Sequence, residues 1–98
     1  MYKLYFCNTF KKNIKKLDPI LQSLILDKIN ILKDNPDHPS LRTELLYKGV
    51  WASSVNMGIR IMWRLNGDTV RMINVGKHDI YRQYKSKRRR KSAFRDNQ

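Results

Sequence analysis

The sequence predicts an α+β domain: an N-terminal strand and a two-helix hairpin packed on a small antiparallel β-sheet, with a basic C-terminal segment behind it. Three observations carry that expectation. Apolar residues recur at helical spacing between Phe10 and Leu32, strand-like alternation takes over between Trp51 and Val75, and Asn66-Gly67 sits between two alternating runs, a strong hairpin signal. With 98 residues the chain allows one domain, taken as residues 1–84, with 85–98 as a basic helix or tail.

Each element follows from its residues. Residues 2–7 (YKLYFC) alternate weakly and read as a first strand, with Asn8-Thr9 as the cap of a helix behind it. Phe10, Ile14 and Leu17 share one face of that helix, and Lys11, Lys12, Lys15 and Lys16 occupy the other. Asp18-Pro19 restarts the helix: Asp18 can cap it, and Pro19 suits the first turn, where no amide donor is needed. Ile20, Leu21, Leu24, Ile25, Ile29 and Leu32 form a wide apolar stripe that Asn35-Pro36 ends. Residues 45–48 and 51–56 are strand candidates separated by Gly49, and residues 59–65 and 68–75 flank the Asn-Gly turn.

Composition narrows the function classes. Apolar residues are 41% of the chain, too many for a disordered tail, yet the apolar runs are three or four residues long against the ~20 a membrane helix needs. No apolar signal region opens the sequence, and the single Cys7 can form neither an internal disulfide nor a cysteine-based zinc site; a cytoplasmic location is expected. Lysine and arginine number 21 against 8 acidic residues, a net charge of +13. That exceeds the ~2–8 that keeps a small domain soluble, which favours a polyanion partner (nucleic acid, an anionic membrane surface or an acidic protein) over a merely solubilising surface with one basic tail.

Taking Asn66-Gly67 as a two-residue loop places Leu65 opposite Asp68, Trp63 opposite Val70 and Ile61 opposite Met72. One face then collects Ile59, Ile61, Trp63, Val70 and Met72, and the helices should pack there. The other collects Arg60, Met62, Arg64, Thr69, Arg71 and Ile73. No Asp or Glu lies among its three arginines, so it is either a solvated face or one that takes an anion such as phosphate. His78, just past the last strand, is either a polar loop residue or a proton donor near neutral pH. Glu44, the only glutamate, is either a salt-bridge partner of a neighbouring arginine or, if partly buried, a base. His38 in its Pro-flanked loop reads as structural. No spacing of His, Cys, Asp and Glu fits a metal, and no phosphate loop or dinucleotide fingerprint is present; no metal, cofactor or small-molecule ligand is expected.

Four strings, LDPILQSLILDKI, NPDHPSLRTELL, WASSVNMGIRIMWRLNGD and VRMINVGKHDIYR, together resemble the RelE/ParE superfamily of type II toxin–antitoxin toxins, in particular its RelE/YoeB/YafQ-like branch. The resemblance spans about residues 2–84. It implies a ribosome-associated, metal-independent endoribonuclease that cleaves messenger RNA and is silenced by a cognate acidic antitoxin. Arg60 matches the arginine of the family's G-[YIL]-R-[IL] strand, His78 the histidine after the last strand, Tyr81 the aromatic that follows, and Glu44 the acid before the paired leucine. Glu44, Arg60, His78 and Tyr81 are therefore the candidate catalytic residues, and Lys48, Trp51, Arg64, Arg71, Lys77 and Arg82 the candidate RNA contacts. One departure matters: where RelE carries two strand lysines, this chain has Trp51 and Ser53, so an acid–histidine version of the chemistry is implied. The alternatives are a ParE-like toxin acting on DNA gyrase without nuclease chemistry, or a basic nucleic-acid-binding module without catalysis.

Overall fold

The periodicities resolve into β1 (Lys3–Phe6), α1 (Asn8–Ile14), α2 (Pro19–Asp34), a short 3-10 turn (Pro39–Leu41), β2 (Glu44–Tyr47), β3 (Val50–Ser54), β4 (Ile59–Asn66) and β5 (Thr69–Lys77). The computed structural model describes residues 1–77 and 82; the expected basic helix or tail at 85–98 lies outside the described residues. Helix α2 starts as its sequence requires. The Asp18 carboxylate accepts from the Leu21 amide at 2.9 Å, and Pro19 occupies the first turn. Helix α1 starts one residue earlier than expected: Cys7 takes the cap position in extended conformation, without a side-chain cap bond, and Asn8 is already helical.

The sheet has five strands in the order β1-β5-β4-β3-β2. β2 through β5 form the expected antiparallel meander, and β1 joins its free edge parallel to β5, so the sheet is mixed. A parallel neighbour needs a long connection, and the helical hairpin with the whole meander separates these two strands in sequence.

The β4–β5 register differs from the arithmetic above. Asn66 pairs with Thr69 and the loop is Gly67-Asp68, with Gly67 at φ +61°, so Trp63 faces Met72 instead of Val70. Glycine at the first loop position, with positive φ there alone, is the pattern of a type II′ turn. Because the partner moves by two residues between the turn and Trp63, the side chains there keep their faces. A bulge between Met62 and Trp63 then makes Ile73 the extra residue, and Ile61 faces Val75. The amide oxygen of Asn74 satisfies this irregularity. It accepts from the Val75 amide at 2.8 Å and from Asn13 of α1 at 2.6 Å, which ties the first helix to the bulge.

Helices and sheet enclose Phe10, Ile25, Ile29, Leu32, Leu41, Ile59, Ile61, Trp63, Val70, Met72 and Val75. The helix stripe is buried over a narrower arc than its sequence implies: Ile20 is 75% exposed, and Leu24 is also exposed. Trp63 is buried as expected; its indole nitrogen donates to Ser53 Oγ at 2.8 Å, and Ser53 Oγ lies 2.7 Å from Thr43 Oγ1. Met62 departs from its expected place on an open face. It is fully buried in a second, smaller cluster with Leu46, Val50 and Ala52, against which Ile73 and Tyr47 pack. Strand β2 supplies that cover, and its contribution cannot be read from the β4–β5 hairpin alone.

Candidate functional site

The alternation of three neighbouring strands builds the site on the sheet face opposite the helices. Glu44 opens β2 and pairs with Ala52; Ala52 pairs with Met62, and Ser54 with Arg60. Glu44 is exposed, so the partial burial expected of a base is not met by the chain alone, because β2 is the edge strand of the sheet. Residues in register across strands project on one side. Glu44, Ala52, Ser54 and Arg60 accordingly line one open cavity of ≈ 560 Å³, together with Ser40 and Arg42 and with Asn56 and Met57 of the β3–β4 loop. Two candidate catalytic residues far apart in sequence thus meet in one place.

The loop fixes Arg60. Its Nη1 donates to the carbonyl oxygen of Asn56 at 2.9 Å, and more weakly to Met57 at 3.4 Å. Asn56 is itself held by the chain reversal, its side-chain oxygen accepting from the amides of Gly58 and Ile59 at 2.9 and 3.0 Å. The half-buried guanidinium is therefore oriented before any ligand arrives. Arg42 adds a second cation at the cavity rim, from a left-handed backbone (φ 46°) at the end of the 3-10 turn. His38 caps that turn, its Nδ1 accepting from the Ser40 amide at 3.1 Å, which is the structural part expected of it. Two guanidinium groups and one carboxylate around an open hollow suit an anionic ligand with a proton to give up.

The other candidates fall in different places. Arg64 and Arg71 share the open face with Arg60 but line a separate cavity toward β1. Lys48 sits in the β2–β3 turn, where it and Gly49 both have positive φ. Lys77, exposed, ends β5 opposite Ile59, and Arg82 is exposed. Trp51 is not brought to the open face. It points to the helix side, half-buried, and stacks on Trp63 with ring centroids 6.0 Å apart, because odd positions of β3 face the helices. His78 and Tyr81 lie outside the described residues. Sequence reasoning missed Arg42, Ser54 and Asn56 as cavity residues. The sequence reads Met57-Gly58 as a turn but keeps Asn56 in the preceding strand, which instead ends at Ser54, and nothing local shows that the Asn56 and Met57 carbonyls hold Arg60.

Comparison with solved structures places this architecture. The chain superposes on a YoeB/ParE toxin from Agrobacterium tumefaciens with a TM-score of 0.66 at 20% identity, covering 78% of this chain and 98% of that one. The chain has the RelE/ParE toxin fold. The fold's match to YafQ from E. coli strain BL21(DE3) gives a TM-score of 0.67 at 14% identity, over 83% of this chain and 98% of that one. For the intact E. coli RelBE toxin–antitoxin complex the values are 0.64 and 19%, over 79% and 96%. No family model matches the chain, and no curated protein matches it. No helix among the described residues is long and apolar enough to cross a membrane.

Proposed function

We propose that this chain is the toxin of a type II toxin–antitoxin pair and acts as a metal-independent, ribosome-associated endoribonuclease on messenger RNA. The observation that carries the reading is the meeting of Glu44 and Arg60 in one open cavity, with Arg42 at its rim and the RelE/ParE fold around it. Glu44, exposed in the chain alone and covered once RNA fills the cavity, takes the proton of a ribose 2′-hydroxyl, and the freed oxygen attacks the adjacent phosphorus. Arg60, held by the Asn56 carbonyl, stabilises charge on the phosphoryl oxygens. His78 protonates the departing 5′-oxygen and Tyr81 stacks on a base. The products are a 2′,3′-cyclic phosphate and a free 5′-hydroxyl. General acid–base help is worth about 10²–10⁴-fold per group, which suits an enzyme that relies on the ribosome to orient its RNA.

A cognate acidic antitoxin fits the same reading. The net charge of +13 favours an acidic partner, and Ile20, Leu24 and Leu26 leave apolar surface exposed on α2. The test is induced expression in a bacterial host followed by primer extension on translated messages, with and without the neighbouring gene's product. Discrete breaks that vanish with Glu44→Gln or Arg60→Ala support the reading. Growth arrest with intact messages overturns it and favours the gyrase-directed alternative.

A further inference from the structure

Arg64 and Arg71 are directly opposed across β4 and β5. Like charges in that position destabilise a sheet. Both residues are exposed, and among the described residues neither guanidinium forms an ion pair with a carboxylate. What holds Arg71 is neutral. Tyr5, its register partner on β1, lies under the guanidinium with the ring centroid 4.7 Å from Cζ, and Nη2 reaches Cys7 Sγ at 4.0 Å. The ring orients the fork without cancelling its charge. The two arginines line an open cavity of ≈ 610 Å³ with Cys7, Leu65, Asn66 and Ile73, sharing no lining residue with the Glu44–Arg60 cavity.

We infer that Arg64 and Arg71, with Tyr5 behind them, form a second anion seat that binds a phosphate of a single-stranded polynucleotide whose chain also crosses the first cavity. That the polynucleotide is RNA rests on the function proposed above; the seat itself does not. Arg60 and Arg64 are four residues apart on the same face of β4, about 13 Å at the strand rise. That span is roughly four nucleotides at the stacked rise of ~3.4 Å and fewer when the chain is extended. A mononucleotide cannot reach both, so the ligand class is an oligonucleotide. The planar fork of arginine suits a phosphate's paired oxygens, which a lysine's point charge does not reproduce.

The test measures binding apart from cleavage, by fluorescence anisotropy with a labelled 2′-O-methyl octanucleotide whose blocked hydroxyl cannot attack. The double variant Arg64→Gln/Arg71→Gln should weaken binding about tenfold or more, the loss of charge-assisted hydrogen bonds. Its slope of log K against log salt should shrink by about 0.7, one single-strand phosphate. The control Lys11→Gln/Lys12→Gln removes equal charge from exposed positions of α1, on the helix side, and should cost about twofold or less. Arg64→Lys/Arg71→Lys keeps the charge and should fall between, which preserves the test if the glutamine variant fails to fold. Equal losses in the α1 control and the arginine variant, or wild-type binding by the arginine variant, overturn the seat. If the seat behaves as stated but translated messages stay intact when wild-type protein is expressed, the nuclease reading falls and the seat stands. If unmodified RNA is cut while the arginine variant binds normally, the reverse holds.

Discussion

Ser53→Ala isolates one hydrogen bond at the centre of the fold. Ser53 is fully buried, its Oγ accepts from the Trp63 indole nitrogen at 2.8 Å, and Thr43 Oγ1 lies 2.7 Å away. The substitution removes a single oxygen, so little cavity forms, but the indole N–H loses its partner inside the core. An unsatisfied buried donor costs about 1–3 kcal/mol. Thr43 is only half-buried and can turn toward water, so about 2 kcal/mol is expected, or roughly 8–16 °C in melting temperature for a domain of this size. Urea denaturation measures it, and a double-mutant cycle with Trp63→Phe identifies the cause. Phenylalanine has no N–H to strand, so in that background Ser53→Ala should cost about 0.5 kcal/mol or less. Equal costs in the two backgrounds would refute the hydrogen-bond argument and assign the loss to packing.

Trp63→Ala should cost about 3–5 kcal/mol in the same denaturation assay, since the ring is buried and also stacks on Trp51. Asp18→Ala removes the acceptor of the Leu21 amide and should cost about 1 kcal/mol, with Asp18→Asn restoring most of it. Gly67→Ala should destabilise by roughly 1–2 kcal/mol: nothing lies within 4 Å of the added carbon, so the cost is that of φ +61° alone, and Gly67→Asn should be milder. Arg60→Ala and His78→Ala should each remove growth arrest in expressing cells while far-UV circular dichroism stays native; full toxicity from a folded His78→Ala variant would exclude His78 as the acid.

Much of the fold was legible because the cues are local. Asp18-Pro19 starts α2 through its own carboxylate, Asn35-Pro36 stops it, and alternation sorts Ile61 and Trp63 from Arg60 and Arg64 without knowledge of any partner. The β4–β5 register was not legible. Asn66-Gly67 and Gly67-Asp68 are both credible two-residue loops, and choosing between them depends on the bulge at Ile73, whose extra residue is accommodated by Asn74 bonding to Asn13 on α1, 61 positions away in sequence. Between the turn and the bulge the faces survived that error because the pairing moved by two residues; past the bulge it moved by three, and Val75 joins Ile61 in the core.

What the sequence determined by itself was the order of elements, the face each strand side chain takes and the excess of positive charge, all set by spacing and composition along the chain. Tertiary structure alone decided which faces became neighbours. The pairing of β2 with β3 and of β3 with β4 brought Glu44 and Arg60 to one cavity, covered Met62 with Leu46 and Val50, and turned Trp51 toward the core. The parallel docking of β1 against β5 placed Tyr5 beneath Arg71. The physical reason is that strand alternation is a property of each backbone segment, whereas the company a side chain keeps depends on pairings between segments far apart in the chain.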